Sequence, residues 1–460
     1  MKRKPAKNPS PKINTTRKLP GNIPPPPQMQ AGFAKVCVNP PLGMAMEGLG
    51  QPEGCKTIHD DLHVYALYLT HSSGTALILG ADLLFFERSH VDRFKGAIGR
   101  RWDLSPRQIL LNTSHNHAGP RLTHWNYSNG VETHYLDQIE AAILQAVKMS
   151  IENVREVAVW GGKTQTKIPV CRRKPDGTGK VKWAPHHDGV ICGTLPFCLL
   201  KDQGHQVVSL LYSVSCHPSM IRGLDISAEY PGAANRQLNA RFHTEGSLFL
   251  QGAGGDAKPR QVAMGEERWR SGTWDEMEEV GMEIADAIEA AAQHELVPIA
   301  PDLKTAYMET QWPMQDIPPR SAFERILNNP ETKKEQRLWA ADIIQRLDRL
   351  GNLPRHMPVG LHALQIGKGL RLIGFEGELV GELGNLILKS YNQGITFPLG
   401  YTDGAMIYLP SSRMIEEEGY EVSSYWEYHH PAPLAAQCDA VVKTALDHLK
   451  KNGPIQNTQD

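Results

Sequence analysis

The sequence predicts an α/β fold in which helices flank one large mixed β-sheet, with the active site at the strand ends. Two observations predict this class. Apolar strand patterns alternate with amphipathic helical patterns, and several buried strands run directly into polar clusters. The 460 residues are enough to bury a substantial core. We find no linker after residue 31, so residues 32–460 are expected to form one large domain.

Short apolar runs bounded by turn residues predict the strands of this sheet. The turn at residues 72–74, for example, joins two such runs. In chain order the predicted strands cover residues 32–38, 62–69, 75–84, 108–112, 207–214, 248–251, 361–366 and 370–375.

Apolar residues at a spacing of three to four predict the helices. The spacing is clearest at Leu136, Ile139 and Ile143. In chain order the predicted helices cover residues 88–101, 135–146, 276–292, 323–350 and 433–451. The charged stretch 320–352 is a candidate for a helical insertion or lid outside the core.

Composition limits location and partners. Residues 1–31 are rich in Lys, Arg, Pro, Ser and Asn and predict a disordered tail without a secretory signal. No apolar window is long enough for a membrane span. Seven dispersed cysteines fit reduced thiols, so we expect a cytoplasmic protein. With 49 basic and 50 acidic residues, nucleic acid is not the expected partner.

Four predicted strands lead into clusters of polar residues, which should gather at one rim of the sheet. The clusters are residues 112–120 with His115 and His117, 215–218 with His217, 251–256 with Asp256, and 374–378 with Glu378. Three protein ligands of His and carboxylate type, with an open position, are typical of catalytic zinc. Each motif also has a structural alternative: His217 can cap a strand, and Glu378 can be a solvated carboxylate.

Taken together, the segments resemble the neutral (non-lysosomal) ceramidase family over residues 32–425. The family's His-Thr-His-Ser-Gly-Pro reads His-Asn-His-Ala-Gly-Pro at residues 115–120. Its His-Pro and acidic-Tyr-Pro-Gly segments correspond to residues 217–218 and 229–232, with Glu229 where Asp is usual. Its Gly-Glu segment corresponds to residues 377–378. Its two tyrosines, twelve residues apart, correspond to Tyr408 and Tyr420.

The resemblance implies a Zn²⁺ site. Its ligands would be His115, His217, Glu378 and Tyr408. His117 would be catalytic and orient the attacking water or the substrate.

The resemblance also implies roles at the substrate. Tyr420 would bind the reacting carbonyl and Asp256 would be catalytic. Arg172 would bind substrate, with Arg173 as the competing assignment. Residues 425–430, rich in aromatic and histidine side chains, could line the pocket mouth, but packing against the final helix is favoured.

The chain departs from the family in one motif. The family's Gly-Asp-x-Ser-Pro-Asn reads Gly-Asp-Ala-Lys-Pro-Arg at residues 255–260, so Lys258 replaces a serine given a catalytic role. Attack by zinc-activated water is therefore favoured. Lys258 and Arg260 are candidates for binding an anionic or polar substrate group, or are simply charges at the rim. We also expect no secretory signal and no counterpart of the family's C-terminal immunoglobulin-like domain, so ceramide is not the assured substrate.

The sequence thus predicts a zinc-dependent hydrolase that cleaves the N-acyl amide bond of a small-molecule or lipid-like substrate. Two alternatives stay open. One is a zinc hydrolase acting on a polar ester or a carbohydrate-derived substrate. The other is a non-catalytic zinc-bearing binding protein.

Overall fold

The computed structural model describes residues 28–48, 54–127, 133–453 and 455. In these residues nine strands form the main sheet. The strands are β1 Gln28–Cys37, β2 His63–His71, β3 Gly74–Ala81, β4 Ile109–Thr113, β5 Arg155–Gln165, β6 Thr194–Asp202, β7 Val207–Val214, β8 Ser247–Gln251 and β9 Val297–Ile299. Their order in the sheet is β8-β7-β6-β5-β1-β2-β3-β4, with β9 paired to β5. The pairs β3/β4 and β7/β8 are parallel and the others are antiparallel, so the sheet is mixed.

A second sheet packs against the main sheet. Its strands, in spatial and chain order, are β10 Pro301–Pro313, β11 His356–Gly367, β12 Leu370–Phe375 and β13 Ile395–Leu399. One buried apolar cluster joins the two sheets, with Leu67 and Leu110 from the first and Leu372 and Phe397 from the second. Shorter strands are Met46–Glu47, Thr57–Ile58, Gly119–Pro120, Pro169–Pro175, Val181–His186, Asp225–Ile226, Ala257–Pro259, Ala263–Met264, Arg268–Trp269, Glu378–Leu379 and Tyr408–Leu409.

Helices cover the outer faces of both sheets. They are α1 Arg88–Trp102, α2 Thr133–Glu152, α3 Glu229–Phe242, α4 Trp274–His294, α5 Arg320–Asn328, α6 Lys334–Leu350, α7 Gly381–Ser390, α8 Ser412–Glu417, α9 Tyr420–Ser423 and α10 Cys438–Asn452. Helices α1 and α2 share a core with β2 and β3, while α3 and α4 share one with β6 and β7. Helices α7 and α10 cover the second sheet. This confirms the predicted α/β class with a large mixed sheet flanked by helices.

The predicted elements differ from the structure at several boundaries, among them the start of β1, the charged helical stretch and the final helix. Strand β1 begins at Gln28, so residues 28–31 belong to the sheet, while residues 1–27 of the predicted tail lie outside the described residues. The predicted helix 323–350 is two helices, because Pro330 disfavours helical backbone at Asn329, which is extended. The final helix begins at Cys438 rather than 433.

Helices α5 and α6 lie between β10 and β11, and those two strands pair with each other along their length. The helices pack on each other around Phe323 and Trp339. The segment therefore leaves the second sheet after β10 and returns to it at β11.

The carboxyl ends of four strands are joined by two buried amide side chains. Asn112, near the end of β4, accepts a hydrogen bond from the Gln251 N–H at 2.7 Å and donates to the Gly400 carbonyl at 2.8 Å. Gln251, at the end of β8, donates from its side chain to the Cys216 carbonyl at 3.0 Å. Cys216 follows β7 and Gly400 follows β13. The polar segments beyond these strands are consequently held at one rim.

Two predictions from composition concern the cysteines and membrane-spanning helices. All seven cysteines lie in the described residues, and each is a free thiol. Over those same residues, we find no helix with both the length and the apolar character needed to cross a bilayer.

We expect Asn112→Ala to lower the free energy of unfolding by about 2–5 kcal/mol, because it leaves a buried N–H and a buried carbonyl without partners. Urea unfolding monitored by tryptophan fluorescence measures this change. The exposed Asn153 offers a matched control, since Asn153→Ala should change stability by less than about 0.5 kcal/mol. Equal stability of the two variants would contradict the proposed role of Asn112.

Candidate metal centre

Three histidines meet at this rim. His115 and His117 follow β4, and His217 follows β7. One ring nitrogen from each lies within 4.8 Å of the others, and the Nε2 atoms of His115 and His117 are 3.1 Å apart. The side chains of His115 and His217 are buried. The structure thus brings together the three histidines that the strand-end pattern predicted at one rim.

Backbone carbonyls fix the tautomer of all three rings. Each Nδ1 faces a carbonyl oxygen, at 3.2 Å from His115 to Leu84, 3.1 Å from His117 to Gly48 and 2.7 Å from His217 to Gly254. A carbonyl only accepts, so each neutral ring carries its proton on Nδ1 and a lone pair on Nε2. Three lone pairs converging in a buried space are stabilised by a cation, and this backbone support is typical of metal-binding histidines.

Glu378 completes the donor set. Its Oε2 atom lies 3.3 Å from His115 Nε2 and 3.4 Å from His217 Nε2. Ligands at zinc bond lengths of 2.0–2.1 Å in a tetrahedron are about 3.3–3.4 Å apart. The two distances from Glu378 to the histidines are therefore those between corners of a tetrahedral zinc site, and the ring nitrogens of His115 and His217 lie within 4.8 Å of each other.

Burial and neighbouring charges set the protonation states of these side chains. Burial, and then the charge of His115, hold the pKa of His117 well below its usual value. Burial and the Arg172 charge lower the pKa of His217 to about 3. Burial alone would raise the pKa of Glu378, but His115 and His217 hold it well below the usual range. At neutral pH His117 and His217 are thus neutral imidazoles and Glu378 is a carboxylate.

Two tyrosines that sequence reasoning missed hold Glu378 in place. Tyr401 donates to Glu378 Oε2 at 3.2 Å, and Tyr428 donates to Oε1. Tyr428 belongs to the segment 425–430, for which packing was the favoured interpretation. The segment also packs, since α6 binds its backbone: Trp339 donates to the His430 carbonyl at 2.8 Å and Arg346 to the His429 carbonyl at 2.7 Å.

The remaining predicted groups lie around the donors. The Tyr408 hydroxyl is 3.5 Å from His217 Nε2, because the short strands Glu378–Leu379 and Tyr408–Leu409 pair side by side. The Tyr420 hydroxyl donates to Glu427 at 2.9 Å.

Arg172, rather than Arg173, faces the site. Its Nη1 atom lies 3.3 Å from His217 Nε2, and its Nε donates to Glu421 at 2.7 Å. Arg173 binds the other oxygen of Glu421 at 2.6 Å and does not line the cavity. Between the two competing assignments, the geometry favours Arg172.

The donors open onto a cavity of about 370 Å³. Its lining combines aromatic side chains with three cationic ones, and consists of Gly48, Leu84, Phe85, His115, His117, Trp125, Arg172, Trp183, His217, Ser219, Arg222, Lys258, Glu378, Tyr408 and Tyr420. A second cavity of about 420 Å³ shares Phe85 and Trp125 with the first. The space suits a small organic ligand.

Asp256 and Arg260 do not line this cavity, so the predicted catalytic role of Asp256 and substrate binding by Arg260 have no geometric support, whereas the alternative of a charge at the rim fits Arg260. Asp256 accepts a hydrogen bond at 2.8 Å from the Gly381 N–H, at the start of α7. Arg260 forms an ion pair at 2.8 Å with Glu283 on α4. Only Lys258, between them in the strand Ala257–Pro259, lines the cavity.

We expect purified protein to hold about one zinc per chain, and His217→Ala to lose it, because that ring supplies one corner of the site. Elemental analysis after dialysis measures the content. Arg260→Ala is the control and should retain the metal. Full zinc occupancy in the His217→Ala protein would argue against this centre.

We expect Tyr428→Phe to weaken zinc affinity by about 10–100-fold, because Glu378 loses a hydrogen bond that orients it. Competition with a fluorescent chelator measures the affinity. Tyr425→Phe, three residues away and facing the α6 helix, should leave affinity unchanged. An equal effect of the two substitutions would show that Tyr428 acts only through packing.

No protein-family model and no curated protein sequence matches the chain. Solved structures do match it, and two ceramidase structures are among them. The neutral ceramidase from Pseudomonas aeruginosa has a TM-score of 0.71 at 12% sequence identity, over 94% of this chain and 76% of that one. A ceramidase complexed with C2 has a TM-score of 0.71 at 12% identity, over 92% and 74%. The chain therefore has the fold of the neutral ceramidases, as the sequence resemblance implied.

Proposed function

We propose that the protein is a zinc-dependent hydrolase that cleaves an N-acyl amide. The observation that carries the proposal is the convergence of His115, His217 and Glu378 on the wall of a ligand-sized cavity, with Glu378 at the distance from each histidine that tetrahedral zinc requires. The fold shared with ceramidases supports an acyl amide as the bond that is cleaved.

In this proposal His115, His217 and Glu378 are the protein ligands, and His117 and Tyr408 adjoin the remaining position. Zinc bound there would lower the pKa of a water molecule and polarise the scissile carbonyl. The Nε2 lone pair of His117 is directed into the site, since its Nδ1 is held by Gly48. It accepts a hydrogen bond from the attacking water and so orients it.

The two site tyrosines act on the carbonyl of the substrate. Burial raises the pKa of Tyr408 well above its usual value, so the phenol keeps its proton at neutral pH. A protonated phenol can donate to the oxygen that gains charge during attack. Tyr420 is oriented by its bond to Glu427. Lys258 occupies the position of the family's serine, so that position supplies no serine nucleophile.

We expect the zinc-loaded protein to release fatty acid and amine from N-acyl amides, and Tyr408→Phe to lower kcat by at least about 100-fold, because one oxyanion donor is lost. Mass spectrometry of the products measures turnover. Tyr307→Phe, a partly exposed tyrosine on β10, is the control and should keep full activity.

A substrate panel separates this proposal from its alternatives. It contains short acyl amides, matching esters, acetylated sugars and long-chain ceramide. Turnover of esters or acetylated sugars without amide cleavage would identify a polar-ester or carbohydrate hydrolase. Tight zinc binding with no turnover on any compound would identify a zinc-bearing binding protein.

A further inference from the structure

Lys258 is a buried ammonium group whose partners are uncharged. Its Nζ donates to the carbonyl and the hydroxyl of Ser219, at 3.0 Å and 2.8 Å. Among the described residues, no carboxylate forms an ion pair with it. Burial lowers the pKa of Lys258 to about 7. A buried cation of this kind gains stability from any anion that enters the cavity.

Arg222 adds a second cation to the same wall. Its side chain is exposed and lines the cavity, and its guanidinium binds no acceptor within the part of the chain that the structure describes. The charge of Arg222 acts on Lys258 and disfavours its protonated form. Two like charges on one wall repel each other until an anion lies between them.

Two carboxylates near this wall, Glu421 and Glu229, bind other groups of the protein. Glu421 is shared by Arg172 and Arg173, which balances the third cation of the lining. Glu229 accepts hydrogen bonds from the backbone N–H groups of Met220 and Ile221, at 3.1 Å and 2.9 Å. These bonds fix the loop that carries Ser219 and Arg222. Burial lowers the pKa of Lys258 and the charge of Glu229 partly offsets this, but among the described residues neither Lys258 nor Arg222 forms an ion pair with a carboxylate.

The aromatic part of the lining extends into the second cavity. Phe85 and Trp125 border both cavities, whereas Lys258, Ser219 and Arg222 border only the cavity with the metal donors. One ligand can therefore place an apolar chain along the aromatic side chains and a charged group at the cations.

We propose that the substrate is an acyl amide that carries an anionic oxygen group, a carboxylate or a phosphate, bound between Lys258 and Arg222. The proposal rests on the hydrolase function proposed above and narrows its substrate class. In the reaction, water adds to the acyl carbon and the C–N bond breaks. The products are a fatty acid and an amine, and the leaving nitrogen takes up a proton. The anionic group stays on the amine product.

Matched substrates test this directly. N-hexanoylglycine is compared with uncharged N-hexanoylglycinamide, and the phosphate ester of N-hexanoylethanolamine with N-hexanoylethanolamine, by hexanoate release from zinc-loaded protein. We expect each anionic compound to have the higher kcat/KM. In Lys258→Met and Arg222→Gln the anionic-to-neutral ratio should fall about 10–100-fold, the usual effect of a hydrogen bond to a charged group.

Arg260→Gln is the matched control, because this arginine pairs with Glu283 outside the cavity and should keep the ratio unchanged. Preference for only one of the two anions identifies the group that is bound. Equal kcat/KM for charged and neutral compounds, or an unchanged ratio in both variants, would overturn the proposal.

A binding measurement separates failure of this inference from failure of the hydrolase function. Hexyloxyacetate and 2-(hexyloxy)ethanol contain no acyl amide, so calorimetry reports their affinity without turnover. We expect the carboxylate to bind about 10–100-fold tighter, and Lys258→Met to remove that difference. A difference that survives in Lys258→Met and Arg222→Gln would place the carboxylate on the metal instead and overturn the proposal.

Discussion

The site depends on the pair of buried amides, Asn112 and Gln251, that join the ends of strands from both sheets. Strands β4 and β8 are the two edges of the main sheet, and β13 belongs to the other sheet. Asn112 supplies both a donor and an acceptor, so it substitutes for the backbone ladder that is missing between these edges. Gln251 extends the connection to the residue before His217. Side chains from distant parts of the chain are thereby held at fixed positions relative to one another.

This arrangement places groups together that would otherwise separate. Neutral imidazoles and a carboxylate are packed where little water remains, and several carbonyls and tyrosines turn them toward a common point. The folded chain bears the cost of desolvating these donors before any ion binds. Binding of a metal at these donors would therefore be linked to folding, as in other sites whose ligands lie far apart in sequence.

The sequence allowed His115, His217 and Glu378 to be predicted, because each follows an apolar strand whose end faces the rim. Tyr428 and Arg222 could not be found in this way, since loops carry them and tertiary packing sets their direction. Asp256 and Arg260 share a motif with Lys258 but lie outside the cavity, because the chain turns on either side of Lys258. The sequence of β5 shows no clear strand periodicity. Its Gly161 leaves room for Ile395 of the second sheet, a contact that no local periodicity shows.

Helices α5 and α6 leave the second sheet between two paired strands and hold the backbone of His429 and His430, next to Tyr428. Helices α5 and α6 thus support the cavity wall from outside the main sheet. Substitutions in this unit can therefore reshape the cavity without changing the strands that lead to His115 and His217. In such an arrangement, specificity and metal chemistry can diverge independently during evolution.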